Sequence, residues 1–204
     1  VGCGGSKATS TQSTPASSAA TAAAPATASP GPLKLTDRVI RAGEFPGFSS
    51  APGQAPAAVR DVSAWLAGQG GGTTVADAAR LRRLRFVAGV REDLTAPGVN
   101  DRGGLSLVEQ FRTHAAAAGE LAAQAKPPTG VSGFRAYAVP GIPGARGFGG
   151  ASNSSAGTNV VWADGPFYYL VGAGSAAGAP HPPTDAQVIA AATVLYRRVH
   201  GRGG

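Results

Sequence analysis

The sequence predicts an α+β fold: an antiparallel sheet with helices packed on one face, in a single domain that follows an N-terminal linker. Three observations carry that prediction. Two β-rich runs, Asn159 to Ala163 and Phe167 to Val171, flank Asp164-Gly165, the pattern of a hairpin. Amphipathic runs with apolar residues at helical spacing begin with capping boxes, and one of them closes the chain. The Ser/Thr/Ala/Pro composition of the first segment stops at Leu33, where mixed apolar, aromatic and charged content begins. Hairpin-linked strands followed by a closing helix are the element order of helices packed on an antiparallel sheet.

From Gly4 to Pro32 the chain is nearly all Ser, Thr, Ala, Pro and Gly, with Lys7 its only charge and no aromatic residue. Such a segment cannot bury enough apolar surface to offset the entropy of ordering its backbone. Pro15, Pro25, Pro30 and Pro32 interrupt its alanine runs. As a flexible chain it would span on the order of 30 Å. Residues 1–32 are therefore expected to be a linker, and residues 33–204 one α+β domain. A domain of that size buries about 70% of its unfolded surface. The chain holds one cysteine, so no internal disulfide can help and the core must supply the stability.

In chain order, a helix is expected over Ala57 to Ala67, with Val59, Val62 and Leu66 or Trp65 inward. Thr74 and Asp77 open a second, with Val75, Ala78, Leu81 and Leu84 on one side. Phe86 to Arg91 reads as a short strand leading to polar Glu92-Asp93. Ser106 and Glu109 form a capping box, and Leu107, Val108, Phe111, Ala115, Ala118, Leu121 and Ala122 follow at helical spacing, predicting a helix to Ala125 ahead of Pro127-Pro128. Phe134 to Val139 alternates as a strand that Pro140 ends. Ala145 to Phe148 adds another before a Gly/Ser/Asn loop from Gly149 to Gly157. After the hairpin, Gly172 to Pro183 reads as a Gly/Pro-rich connection. Thr184 and Gln187 then cap a helix whose stripe is Val188, Ile189, Ala192, Leu195, Tyr196 and Val199, with Gly201 as its stop.

Motifs that carry chemistry are sparse. His114, His181 and His200 have no His, Cys or carboxylate at i+4 on the same helical face, so no metal site is expected. No serine has the Gly-x-Ser-x-Gly setting of a nucleophile elbow; Ser175 comes nearest, in Gly172-Ala173-Gly174-Ser175. That stretch lacks the helix on which a dinucleotide pyrophosphate would sit, and Gly68 to Thr74 lacks the lysine of a phosphate loop. No cofactor is expected. Glu92 and Asp93 point to opposite faces of a strand; Asp93 and Asp101 are the pair that the loop between them could bring together, the alternative being solvated turn residues.

The formal charge is +7, with basic residues clustered at Arg80, Arg82, Arg83 and Arg85 and again at Arg197, Arg198 and Arg202. No aromatic interleaving or nucleic-acid motif accompanies them, so nucleic acid is not the expected partner. Anionic lipid headgroups or acidic wall polymers are, since each basic residue near an anionic surface gains about 1 kcal/mol. Arginine outnumbers lysine 15 to 3 beside abundant alanine and glycine, a composition of GC-rich coding.

The opening Val1-Gly2-Cys3-Gly4, followed by the linker, resembles the mature end of a bacterial lipoprotein. The resemblance implies a lipobox cysteine, Cys3, acylated after removal of a signal peptide. The protein would then sit on the outer face of the cell membrane through its lipid. Two acyl chains hold where one is marginal, because each buried methylene adds about 0.8 kcal/mol. The element order of the domain resembles secreted lipoprotein domains of the PsbP/Mog1-like kind by architecture. The expected function is a non-catalytic envelope domain that binds a ligand or partner. The alternatives are a cell-wall hydrolase using Asp93, Asp101, Glu109 or His114, and an assembly factor without a small-molecule site.

Overall fold

The structure, a computed structural model, describes residues 32–53, 55–69, 74–126 and 132–201. Cys3, the linker through residue 31, residues 70–73, Pro127-Pro128 and Arg202 lie outside these described residues. Every described residue belongs to one compact unit, Gly31–Gly204.

Seven strands form one sheet in the order β1-β2-β3-β7-β6-β5-β4, each paired antiparallel with its neighbours. They are β1 (Ser49–Ser50), β2 (Phe86–Ala96), β3 (Val99–Phe111), β4 (Ser132–Ala138), β5 (Arg146–Ala151), β6 (Ser155–Asp164) and β7 (Phe167–Ala176). The helices are α1 (Val62–Gly68), α2 (Val75–Arg83), α3 (His114–Gln124) and α4 (Asp185–His200), and a 3₁₀ turn over Leu35–Arg38 precedes the sheet. The α+β class and the antiparallel sheet are as the sequence predicts.

The helices do not share one face of the sheet. Helix α4 and the segment Val39 to Phe48 cover the side carrying Val90, Val108, Val160, Trp162, Tyr169 and Val171. Helices α1, α2 and α3 cover the other, through Trp65, Leu81 and Ala117 against Leu107, Phe111, Val161 and Tyr168. The central strands are therefore buried on both sides. That explains why β3 reads as a helix in the sequence. Adjacent Leu107 and Val108 are both buried, so the apolar/polar alternation of a half-buried strand is lost.

The helix expected from Ser106 is thus a strand as far as Phe111, and the helix starts only at His114. Thr113, not Ser106, caps it, accepting from Ala116 N. The side chains of the supposed capping box serve distant partners. Ser106 Oγ accepts from Ile40 N at 3.1 Å, and Glu109 accepts from the Trp65 indole.

Other expectations hold with changed limits. The capping boxes at Thr74/Asp77 and Thr184/Gln187 both form, and Gly201 caps α4. Val75 is 88% exposed and does not face the core with Leu81. Helix α1 begins at Val62 rather than Ala57, because the Val59 backbone pairs with Gly89 of β2. Strand β2 continues through Glu92, which is buried opposite Ser106 and is not a solvated turn residue. Gly172 and Gly174, expected in a loop, are strand residues of β7. Likewise β5 and β6 take most of the expected 149–157 loop. In the hairpin, Asp164 pairs with Phe167, so Gly165-Pro166 is the turn, with Gly165 at φ +52° where a side chain is disfavoured.

Arg198 ties the N-terminal segment to α4. Its guanidinium donates to both Glu44 carboxylate oxygens at 2.8 and 2.9 Å, and to the carbonyls of Val39 and Asp37.

Candidate functional site

On the face under α1, α2 and α3, polar side chains are buried together. β3 delivers Glu109 and β7 delivers Tyr168, directly opposite each other across the ladder. Trp65 of α1 reaches Glu109 because β2 has a glycine there. A Cβ on Gly89, the cross-strand neighbour of Glu109, would lie 2.7 Å from the Trp65 ring. The indole Nε1 donates to Glu109 Oε1 at 2.7 Å. From α3, Glu120 is fully buried and accepts from Arg80 Nε at 2.9 Å and from Gln124 Nε2 at 2.7 Å. Arg80, from α2, also donates to Asp77 at 2.5 Å.

Of these groups, Asp77, Arg80, Glu109, Gln124 and Tyr168 border a cavity of about 250 Å³ whose remaining walls are Gln69, Leu66, Leu81, Leu107 and Leu170. Three buried polar atoms in its lining have no protein partner: Glu109 Oε2, Tyr168 Oη and Gln69 Nε2. Leaving a buried donor or acceptor unsatisfied costs about 1–3 kcal/mol, so three around one space mark a place where something else is expected to bond.

Burial, with the nearby Glu120 charge, pushes the Glu109 carboxyl up to about 8, against opposing help from Trp65 and Arg80. Glu109 is therefore mostly protonated at neutral pH. Burial also holds the Tyr168 phenol well above its ordinary range, keeping it a neutral hydroxyl.

Two further spaces lie over the same face of the sheet. A neighbouring space of about 420 Å³ shares Gln124, Tyr168 and Leu170 with the cavity and is walled by Phe134 and Phe148, whose rings stack at 5.6 Å. A shallower depression of about 650 Å³ continues past Asn159 to Arg91, Asp93 and Asp101. Its floor includes Gly103, Gly174 and Gly157, paired in register across β3, β7 and β6, with Gly150 of β5 next in the row. Such a row places bare backbone at the surface.

Of the residues singled out from sequence for acid–base chemistry, only Glu109 faces the deep cavity. Asp93 and Asp101 line the same shallow depression, but Asp93 is paired with Arg91 at 2.5 Å. His114 stands at the start of α3 with Nδ1 3.1 Å from the Gly165 carbonyl, bracing the hairpin. His200 contacts Asp164 at 3.2 Å, and His181 offers its carbonyl to Arg102. Among the described residues, no three His, Cys, Asp or Glu side chains gather as a metal site would require.

The arginine clusters are divided. Arg80 and Arg198 are committed to ion pairs within the domain, and so do not face outward as the sequence suggested. Arg82, Arg83, Arg85 and Arg197 are exposed, but α2 and α4 lie on opposite faces of the sheet and do not join them into one patch.

Sequence reasoning missed Trp65 as a polar partner, and also Gln69, Glu120 and Tyr168. One local signal was available: a glycine inside a β run, Gly89, marks a close approach by another group. Nothing local marks Glu120, which reads as a polar position of a surface helix.

No family model and no curated protein matches the chain. Among solved structures, the chain is similar to the extracellular domain of PknH from Mycobacterium tuberculosis, at 12% identity and a TM-score of 0.48, over 76% of this chain and 86% of that one.

Proposed function

We propose that this protein is an extracytoplasmic envelope lipoprotein, anchored through Cys3, whose domain binds a small ligand without transforming it. The observation that carries the binding half is the concentration of unpartnered Glu109, Tyr168 and Gln69 atoms around one cavity. Concave, mostly apolar sites with a few convergent polar groups are where small molecules bind. A two-carboxylate hydrolase is less well supported. It needs two free carboxyls flanking the scissile bond, whereas Glu120 is spent on Arg80 and Gln124. The anchoring half rests on the Val1-Gly2-Cys3 resemblance and the linker composition. Among the described residues no helix is long and apolar enough to cross a membrane.

Binding is tested by a thermal-shift screen of amines, saccharides and short peptides, with hits followed by calorimetry. A true ligand binds one to one and loses at least tenfold affinity in Leu170→Trp, which fills the cavity, and in Tyr168→Phe. Hits indifferent to both variants would refute the site. For the anchor, Cys3→Ser in the full precursor should move the protein from the membrane fraction to the soluble exported fraction. Unchanged membrane association would refute it.

A further inference from the structure

The chemistry of the cavity narrows the ligand class, an inference that rests on the binding reading above. Around the cavity, the neutral Gln69 amide follows α1, α2 contributes Asp77 and Arg80, and β3 contributes Glu109, while Glu120 of α3, outside the lining, accepts from Arg80 and Gln124. Three carboxyl groups thus meet one guanidinium, and that guanidinium is already shared by Asp77 and Glu120. β7 adds only the neutral Tyr168 hydroxyl. On β2, Arg91 is neutralised by Asp93 and also bonds the Gly68 carbonyl, so it does not supply the missing charge. Lys126, just past α3, is exposed and lines the neighbouring 420 Å³ space rather than this one.

Glu109 is 6% exposed and its Oε2 is unpartnered; Tyr168 is 1% exposed and its hydroxyl is unpartnered. Both are oxygens that can accept. The leucines at 66, 81, 107 and 170 offer an apolar sleeve beside them. We propose that the cavity takes a primary alkylammonium group, its nitrogen donating to Glu109 Oε2 and the Tyr168 hydroxyl and its alkyl stem lying against the leucines.

A buried carboxylate and ammonium attract strongly where water is excluded, provided that both are also hydrogen-bonded, as Glu109 is by the Trp65 indole. A proton balance follows. Empty, the cavity holds Glu109 mostly protonated at pH 7, since burial raises its carboxyl to about 8. An arriving ammonium stabilises the carboxylate, so the Glu109 proton leaves to solvent as the amine binds. At pH 9 the carboxylate is already formed and no proton is released.

The probe is n-butylamine, with n-butanol as its neutral isostere, titrated into the whole chain. Trp65 emission is a convenient reporter, since its indole donates to Glu109. Butylamine should bind at least tenfold more tightly than butanol. Calorimetry in two buffers of different ionisation enthalpy should find close to one proton released at pH 7 and close to none at pH 9. Glu109→Gln should abolish the preference for the amine, and Tyr168→Phe should reduce it several-fold. Equal binding of butanol, sensitive to Leu170→Trp, would overturn the ammonium assignment while leaving a ligand cavity in place. Binding of neither probe, with no hit from the wider screen, would overturn both.

Discussion

On the face under α4, Trp162 lies flat on Tyr169 with centroids 4.8 Å apart and planes 6° from parallel, while Val188, Ala191, Ala192 and Leu195 close over the strands. Arg38 donates to the Tyr169 hydroxyl at 2.7 Å and covers the Phe167 ring at 3.9 Å, sealing that layer at its edge. On the face under α1, α2 and α3, the central positions include Glu109, Glu120 and a cavity with three unmet polar atoms. The same strands serve both. Alternation along β3 sends Val108 to the first face and Leu107 and Glu109 to the second; along β7 it sends Tyr169 to the first and Tyr168 to the second. The contrast teaches a difference of degree within one sheet. The α4 face closes into the larger apolar cluster, although it too buries Glu92, Ser106 and an unpartnered Trp162 Nε1. The other face leaves its unpartnered groups around a cavity where they can meet a ligand.

The largest expected effect tests the α4 face. Trp162→Ala should cost about 3–5 kcal/mol and Leu195→Ala about 2–5 kcal/mol, as for well-packed buried side chains. Urea unfolding measures both. Losses below about 1 kcal/mol would mean that α4 covers the sheet loosely, and the division between faces would fail.

Next comes the ion pair on the polar face. Arg80→Met leaves Glu120 buried without its cation and should cost about 3 kcal/mol, whereas replacing both partners with apolar residues should restore much of that loss. A double-mutant cycle in urea reads the difference. If the single and double variants were equally stable, the pair would not be what makes the polar cluster tolerable.

The most gradual effect is a dependence on pH. Glu109 has its carboxyl raised from 4.5 to about 8 in the folded chain, so between those values the folded state holds a proton that the unfolded state has released. Its contribution is fully present below pH 4.5 and is lost as pH rises through about 8, by at most about 1.4 kcal/mol per pH unit. Glu109→Gln carries no proton to lose, so its stability should fall less steeply between pH 5 and 8. Parallel curves for the two proteins would place Glu109 in contact with solvent and erase the contrast between the faces.

Several elements could be read locally because their signals lie within a few residues. The α4 boundaries follow from Thr184, Gln187 and Gly201, and the α2 start from Thr74 and Asp77. The β6–β7 hairpin follows from glycine at the turn and β-branched and aromatic residues on either side. Caps and tight turns are bonds between near neighbours, so their chemistry is written side by side in the chain.

The sequence by itself determined the α+β class, the hairpin and the closing helix. Only the tertiary structure decided which way β3 would go, that helices would cover both faces, and which polar residues would meet. Ser106 and Glu109 have the spacing of a capping box, but a strand paired on both edges with β2 and β7 and buried on both sides outweighs one local cap. The site is less legible still. Trp65 meets Glu109 across 44 residues of sequence and Arg80 meets Glu120 across 40, pairings that exist only once the sheet has formed between them. Local chemistry sets where elements begin and end; burial from both sides, felt only in the assembled sheet, sets what they become and what they enclose.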